Sequence, residues 1–279
     1  MGLSAETRLL GVIGHPIGHS LSPRMHNASF AATGLDYLYL PLDVRPEALP
    51  AAVAGLGALG FRGFNVTMPY KEKILPLLDS VDDAARLSGA VNTVIVEGGR
   101  MLGTNTDGPG FLAACAEAGV GFAGARVLVV GAGGAAAAIS AAVLGAGAGH
   151  VGLLNRSAWR AEDLRKRLAR TYPEVEVSVY PTDEPERAAR GTGVVVNATY
   201  LGMKDEDPPP LPPDCLTDGM AVCDAVYRRG AETQLVGLAR ERGLCTVTGE
   251  RMLLYQGVQA QRLWTGEEPD VEAMSAVLS

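Results

Sequence analysis

The stretch VLVVGAGGAAAAISAAVLGAG, residues 127–147, constrains the fold more than any other part of the chain. Val127–Val130 read as a buried strand, and an alanine-rich helical run begins a few residues later. Between them lies Gly131-x-Gly133-x-x-Ala136. Gly131 permits a tight turn, Gly133 lets a phosphate come close to the backbone, and Ala136 allows close helix–strand packing. The free N–H groups and partial positive charge at such a helix start suit an anion. Gly131, Ala132, Gly133, Gly134 and Ala135 therefore form a candidate dinucleotide cradle, with a purely structural Ala/Gly turn as the alternative.

Strand and helix signals alternate through the rest of the chain, which predicts an α/β fold with a parallel sheet. Strands are expected at 8–14, 37–44 and 62–67, and a hairpin turns at Gly98–Gly99. Helices are expected at 22–34, with Ser22 as N-cap and Pro23 as the first helical residue, and at 46–60. Another helix is expected after Pro69, with Lys71 in its first turn. The pattern restarts after Asp107, is interrupted by a Pro-rich loop at 204–214, and ends in helices from Gly249 onward. Boundaries near Asp107 and Gly249 separate 1–107 and 250–279 from 108–249.

The chain has 279 residues, a net charge of -7 and 47% apolar residues, enough for a packed core and unfavourable for a nucleic-acid partner. The basic run Arg165, Lys166, Arg167 and Arg170 lies at helical spacing among acids, so it reads as a solvated face. No signal-peptide pattern or membrane-length apolar run is present. Cys115, Cys215, Cys223 and Cys245 are scattered, which predicts reduced thiols in a cytoplasmic protein. His15, His19 and His26 lack helical metal spacing and a completing acid or cysteine, so no metal is expected.

The end of the strand after the cradle bears on the cofactor. An acid there suits the ribose hydroxyl of NAD, whereas arginine suits the 2′-phosphate of NADP. Here Asn155-Arg156-Ser157 and Arg160 stand with no acid. Two guanidinium groups and a hydroxyl match a dianionic phosphate, so NADP is favoured. The alternative is two ordinary surface arginines.

In the first half, Ser20, Ser22, Asn65, Thr67, Lys71, Asn92, Asn105 and Asp107 lie at or near the C-terminal ends of expected strands. Those ends line the ligand crevice of an open α/β sheet, so the set predicts a site for a small polyol. Individually, Ser22 is also explained as a cap and Asn92 or Asn105 as turn residues.

The segments GHPIGHSLSPRMHN, GFNVTMPYK, GAVNTV, GTNTDGPGF, GAGGAAAA, NRS, VNATYLGM and GERMLLYQGVQAQRLWTGEEP together resemble the shikimate dehydrogenase family, nearly end to end. The resemblance implies NADP-linked reversible reduction of 3-dehydroshikimate to shikimate in aromatic amino-acid biosynthesis. It implies an N-terminal mixed α/β substrate domain, a Rossmann-type doubly wound NADP domain, and C-terminal helices packing back on the first. Ser20 and Ser22, helped by Tyr227, would grip the substrate carboxylate. Thr67, Lys71, Asn92, Asp107 and Gln256 would hold the ring hydroxyls, with Lys71 and Asp107 as the catalytic pair in an interdomain cleft. Asp83, Ala225 and Gly249 would lie near the cofactor.

Which of Lys71 and Asp107 moves the proton stays open, as does the oligomeric state, a homodimer being the assembly kept in view. Arg228-Arg229-Gly230 after Tyr227 departs from the family's usual proline there. The rivals are a quinate or aminoshikimate paralogue and a catalytically silent NADP-binding sensor.

Overall fold

The computed structural model describes residues 4–228 and 230–278. The chain divides into two compact units, Met1–Thr106 with Leu253–Ser279, and Asp107–Met252. Asp107 and the start of the long C-terminal helix thus group with the second unit.

In the first unit β1 (Arg8–Gly14), α1 (Ser22–Thr33), β2 (Tyr37–Asp43), α2 (Leu49–Ala58) and β3 (Gly63–Val66) follow in order. Then come β4 (Ser80–Val81), α3 (Asp83–Ser88), β5 (Thr93–Glu97) and β6 (Arg100–Thr104). The sheet order is β2-β1-β3-β5-β6-β4. β1 runs parallel to β2 and β3, whereas β5 is antiparallel to both β3 and β6. The β5–β6 hairpin turns at Gly98 (φ 56) and Gly99 (φ 77), the left-handed pair that a two-residue turn between twisted strands requires. Alternating residues divide between the faces. Ile13, Phe64, Val66 and Val94 pack with Val53 and Leu56 of α2. Leu10 and Val12 pack with Phe30 of α1 and with Tyr39 and Trp264.

Three details differ from the sequence-based expectation. No α-helix follows Pro69: Lys71 lies in a turn, and only a short 3₁₀ segment, Leu75–Leu77, forms. Pro76 explains this, because its ring would clash with the carbonyl four residues back and it lacks the N–H a helix needs. Helix α1 starts at Ser22 itself, with Leu21 as N-cap and no side-chain capping bond. Ser22 is therefore not a cap, and its amide donates to Ser20 Oγ at 3.3 Å. Finally, β4 and α3 were not anticipated, although Asp82 caps α3 by accepting from the Ala85 amide at 2.9 Å and Gly89 ends it in the left-handed region.

The second unit contains α4 (Asp107–Glu117), β7 (Arg126–Val130), α5 (Gly134–Gly145), β8 (His150–Leu154), α6 (Ala158–Thr171) and β9 (Glu176–Tyr180). It continues through α7 (Pro185–Ala189), β10 (Val194–Asn197), β11 (Ala221–Asp224), α8 (Gln234–Glu241) and β12 (Cys245–Val247). Its sheet is parallel throughout, in the order β12-β11-β10-β7-β8-β9. The chain crosses one way from β7 through β8 to β9 and then returns to β10 on the far side of β7. β7 and β10 therefore flank the topological switch point, where ligands bind in sheets of this kind. α9 (Gly249–Thr265) begins in this unit and continues into the first, and α10 (Val271–Ala276) packs on α1.

Cys115, Cys215 and Cys223 are buried free thiols, and Cys245 is exposed. No described helix is long and apolar enough to cross a membrane.

Candidate active site

In the first unit strand direction brings distant segments to one edge. β1, β2 and β3 end there together, because Gly14 aligns with Asp43 and Ile13 with Val66. β5 runs the opposite way, so its beginning reaches the same edge: Asn65 aligns with Thr93, and Thr93 with Thr104. Asn92 thus reaches the edge by preceding an antiparallel strand rather than by ending a parallel one. The edge carries the loop with Ser20, the start of α1 at Ser22, the Thr67–Lys71 turn, Asn92, and the segment after Thr104.

Hydrogen bonds fix this edge. The Thr67 amide donates to the Ile13 carbonyl at 3.0 Å, and the Tyr70 amide to the Thr67 carbonyl at 2.9 Å. The buried Tyr70 hydroxyl donates to the Val44 carbonyl. The Lys71 carbonyl accepts from the Val91 amide at 2.8 Å, which holds the half-buried lysine next to the Asn92 segment. Asn92 Nδ2 donates to Thr106 Oγ1 at 3.0 Å and to Gln256 Oε1 at 3.4 Å, and its Oδ1 accepts from the Thr106 amide at 2.8 Å. Gln256 Nε2 in turn donates to the Leu253 carbonyl at 2.8 Å.

Asn65 is used differently from the expectation. It is buried, and its Nδ2 donates to the Asn92 carbonyl and to Thr93 Oγ1, both at 3.0 Å. Its Oδ1 accepts from the Tyr39 hydroxyl at 2.6 Å. With both amide hydrogens engaged inside the sheet, Asn65 has no donor left for a ligand and acts as a clasp between strands. Asn105 is likewise turned inward, donating to the Ala90 carbonyl at 2.9 Å. Asp83 lies in the first turn of α3, fully exposed and paired with Arg86.

His26 is buried and stacked on Tyr39 with ring centroids 4.4 Å apart. Its Nδ1 donates to Gln261 Oε1 at 3.2 Å, and among the described residues its Nε2 has no partner. Burial lowers its pKa to about 4. His15, by contrast, donates to Asp43 Oδ1 at 2.8 Å near the surface.

In the second unit the candidate site is made mainly of backbone. Gly131 adopts φ +120, and its amide donates to the Leu154 carbonyl at 2.9 Å. A Cβ there would stand 2.9 Å from the Ala198 carbonyl oxygen of the loop after β10. Gly131 is thus demanded by the fold. Gly133 is not. It has φ -90, and a Cβ on it would meet nothing within 4 Å. Gly133 is the N-cap of α5 and has no side chain to cap it, so the first amides of α5 are left for another acceptor. Gly134 and Ala135 form the first turn of α5 beside Ala132, and Ala136 is fully buried against the sheet.

At the end of β8, Asn155 Nδ2 donates to the Ser157 carbonyl at 2.9 Å and holds the turn into α6. Ser157 is the N-cap of α6 but makes no side-chain capping bond. Arg156 and Arg160 are exposed, and among the described residues neither pairs with an acid. The Gly133 space, the uncapped α5 start and this donor set fit a dinucleotide carrying a 2′-phosphate.

Asp107 is buried at the start of α4. A cluster that sequence reasoning missed lies at the ends of β10 and β11. Asp224 accepts from Asn197 Nδ2 at 2.9 Å, the Val226 amide at 2.9 Å and Thr233 Oγ1 at 2.6 Å. Burial raises its pKa to about 6, against the opposing effect of those three bonds. Asp224 thereby shapes the turn carrying Ala225 and the half-buried Tyr227, and a Cβ on Gly249 would lie 2.2 Å from the Val226 carbonyl oxygen. Arg228 pairs with Asp205 of the Pro-rich loop, tying that acidic loop to the same turn. Arg229 lies outside the described residues.

An all-parallel sheet with a glycine turn at its switch point, joined to a second α/β unit with a polar edge, defines an enzyme of the dinucleotide-linked oxidoreductase class. Family models match along the chain: the shikimate dehydrogenase substrate binding domain at residues 12–94, shikimate / quinate 5-dehydrogenase at 114–202, and the shikimate 5′-dehydrogenase C-terminal domain at 249–278. The shikimate dehydrogenase (NADP(+)) of Rubrobacter xylanophilus is 59% identical over 99% of this chain and 97% of its own. That of Moorella thermoacetica is 47% identical over 99% and 94%. The crystal structure of shikimate 5-dehydrogenase from Thermus thermophilus with NADP(H) and shikimate superposes with a TM-score of 0.88 at 38% identity, covering 97% of this chain and 98% of its own. The chain belongs to the shikimate dehydrogenase family.

Proposed function

We propose that the chain catalyses the NADP-linked, reversible reduction of 3-dehydroshikimate to shikimate, a step of aromatic amino-acid biosynthesis. The observation that carries the cofactor assignment is the open space at Gly133 beside an uncapped helix start, with Arg156 and Arg160 beyond the next strand and, among the described residues, not paired with acids. Family membership, together with the polar edge of the first unit, supports the substrate. We assign most of the substrate contacts to the first unit and most of the dinucleotide contacts to the second.

The pyrophosphate would be held by the amides of the Gly131–Ala135 turn and the 2′-phosphate by Arg156, Ser157 and Arg160. Asp83, Asn155, Ala225 and Gly249 complete the cofactor assignment. When bound, the nicotinamide supplies hydride for ketone reduction and accepts it in the reverse direction.

On the protein side, Lys71 has the task of stabilising the charge that develops on the substrate oxygen and of passing a proton to it. Asp107 is assigned with Lys71 as the acid/base pair. Thr67, Asn92 and Gln256 orient the ring hydroxyls, while Ser20, Ser22 and Tyr227 receive the carboxylate. Asn65 acts on this set indirectly, by fixing the backbone of Asn92.

Initial rates of shikimate oxidation with NADP and with NAD, and of quinate oxidation alongside, test the assignment. Activity confined to NADP and shikimate is expected. Equal rates with quinate or NAD would move the chain to a broad-specificity relative, and silence on both acids would leave a nucleotide-binding protein without this turnover.

A further inference from the structure

We propose that Trp159 is a specificity-determining residue for the cofactor, its indole holding the Arg160 guanidinium in place for the 2′-phosphate. The proposal rests on the NADP reading given above. Trp159 lies in the first turn of α6 and is 70% exposed. The core contacts of that helix are made instead by Ala161, Leu164 and Leu168. Packing therefore gives no reason for the largest of side chains at this position.

What the indole does touch is Arg160, whose Cζ stands 5.4 Å from the ring centroid. That distance is within the range of a cation–π contact. A lone arginine at a helix start is opposed by the helix dipole and free to sample many rotamers. Stacking on the indole offsets the first and limits the second. Less side-chain freedom is then lost when a phosphate arrives, so binding of the 2′-phosphate is strengthened without any new contact to the ligand. A nucleotide lacking that phosphate gains nothing from the stack.

The test compares 2′,5′-ADP with 5′-ADP as probes of the intact protein, using calorimetry and indole emission. The chain has two tryptophans, and Trp264 is buried in the first unit, donating to the Val94 carbonyl at 2.9 Å. An emission change on adding 2′,5′-ADP therefore reports Trp159, and it should vanish in Trp159→Phe. Trp159→Ala is expected to weaken 2′,5′-ADP about twofold to fivefold, the size of one exposed cation–π contact, and to leave 5′-ADP unchanged. Trp159→Phe should recover most of the loss, and adding Trp159→Ala to Arg160→Ala should cost nothing further.

Equal 2′,5′-ADP affinity in the wild type and Trp159→Ala overturns the proposal while leaving NADP binding intact. A further loss in the double variant also overturns it, because the indole would then act on the ligand and not through Arg160. If the wild type itself does not distinguish 2′,5′-ADP from 5′-ADP, the NADP reading falls and this proposal with it.

Discussion

At the edge of the first sheet the polar groups come from side chains, whereas at the switch point of the second they come from backbone. Asn65, Asn92 and Gln256 satisfy one another's neighbours through bonds that join β2, β3, the start of β5 and α9. In the second unit the groups left open are helix amides, and Gly133 is set apart by the side chain it lacks. The contrast teaches that fold and site are entangled in the first unit but separable by residue in the second. There Gly131 is required by the turn, whereas Gly133 is the position we propose for the ligand, although they are only two positions apart.

Substitutions at single positions can break that contrast. The largest effect is expected at Lys71: Lys71→Ala should cut turnover by on the order of a hundredfold or more while NADP affinity changes much less. Unchanged turnover would remove Lys71 from the chemistry. Asn65→Leu should instead strike the fold, because the Tyr39 hydroxyl and the Asn92 carbonyl each lose a buried partner. Denaturant unfolding should show a loss of about 2–3 kcal/mol. Unaltered stability with a raised KM for shikimate would make Asn65 a ligand after all.

Gly133→Val is the matching test in the second unit. It should weaken NADP tenfold or more and lower the melting temperature only slightly, through the poorer N-cap, since among the described residues nothing lies within 4 Å of a Cβ there. A fall in melting temperature as large as that of Gly131→Ala, where a Cβ meets the Ala198 carbonyl at positive φ, would erase the distinction between the two glycines. Arg156→Ala should weaken NADP by about tenfold and leave NAD untouched, the scale of a charge-assisted phosphate contact. Equal losses on both cofactors would count against a 2′-phosphate role.

The smallest expected effect is in the pH dependence of stability, where the units oppose each other. The folded-state pKa of His26, about 4, lies below the ordinary 6.5, so between these values the unfolded chain holds the extra proton. Acidification through that window destabilises. Asp224 is the reverse: its folded value of about 6 exceeds the ordinary 3.8, so the folded chain holds the extra proton and acidification stabilises. The two slopes offset one another between about pH 4 and 6. Asp224→Asn removes one of them, and unfolding free energy should then fall more steeply with acid, by up to about 1.4 kcal/mol per pH unit. An identical slope in the variant would show that Asp224 does not titrate in that range.

The amino-acid sequence by itself determined the features that are local. The turn from β7 into α5, the glycine pair of the β5–β6 hairpin, the left-handed end of α1 at Gly34 and the absence of an acid after β8 each depend on a few consecutive residues and their allowed dihedrals. Where two local signals compete, one of them prevails in the folded chain. Pro76 overrode the helix expected after Pro69, and one residue's shift at the start of α1 took the capping role from Ser22.

Only the tertiary structure decided what the buried polar side chains do. Asn65 looked like a ligand because it ends a strand, yet its partners Tyr39 and Thr93 lie 26 and 28 residues away. Asn197 and Asp224 gave no motif, and they meet because β10 and β11 are parallel neighbours in register. The physical reason is the same in both cases. A buried polar group must find a partner, and which partner it finds is set by strand pairing across long loops, which no window of sequence contains.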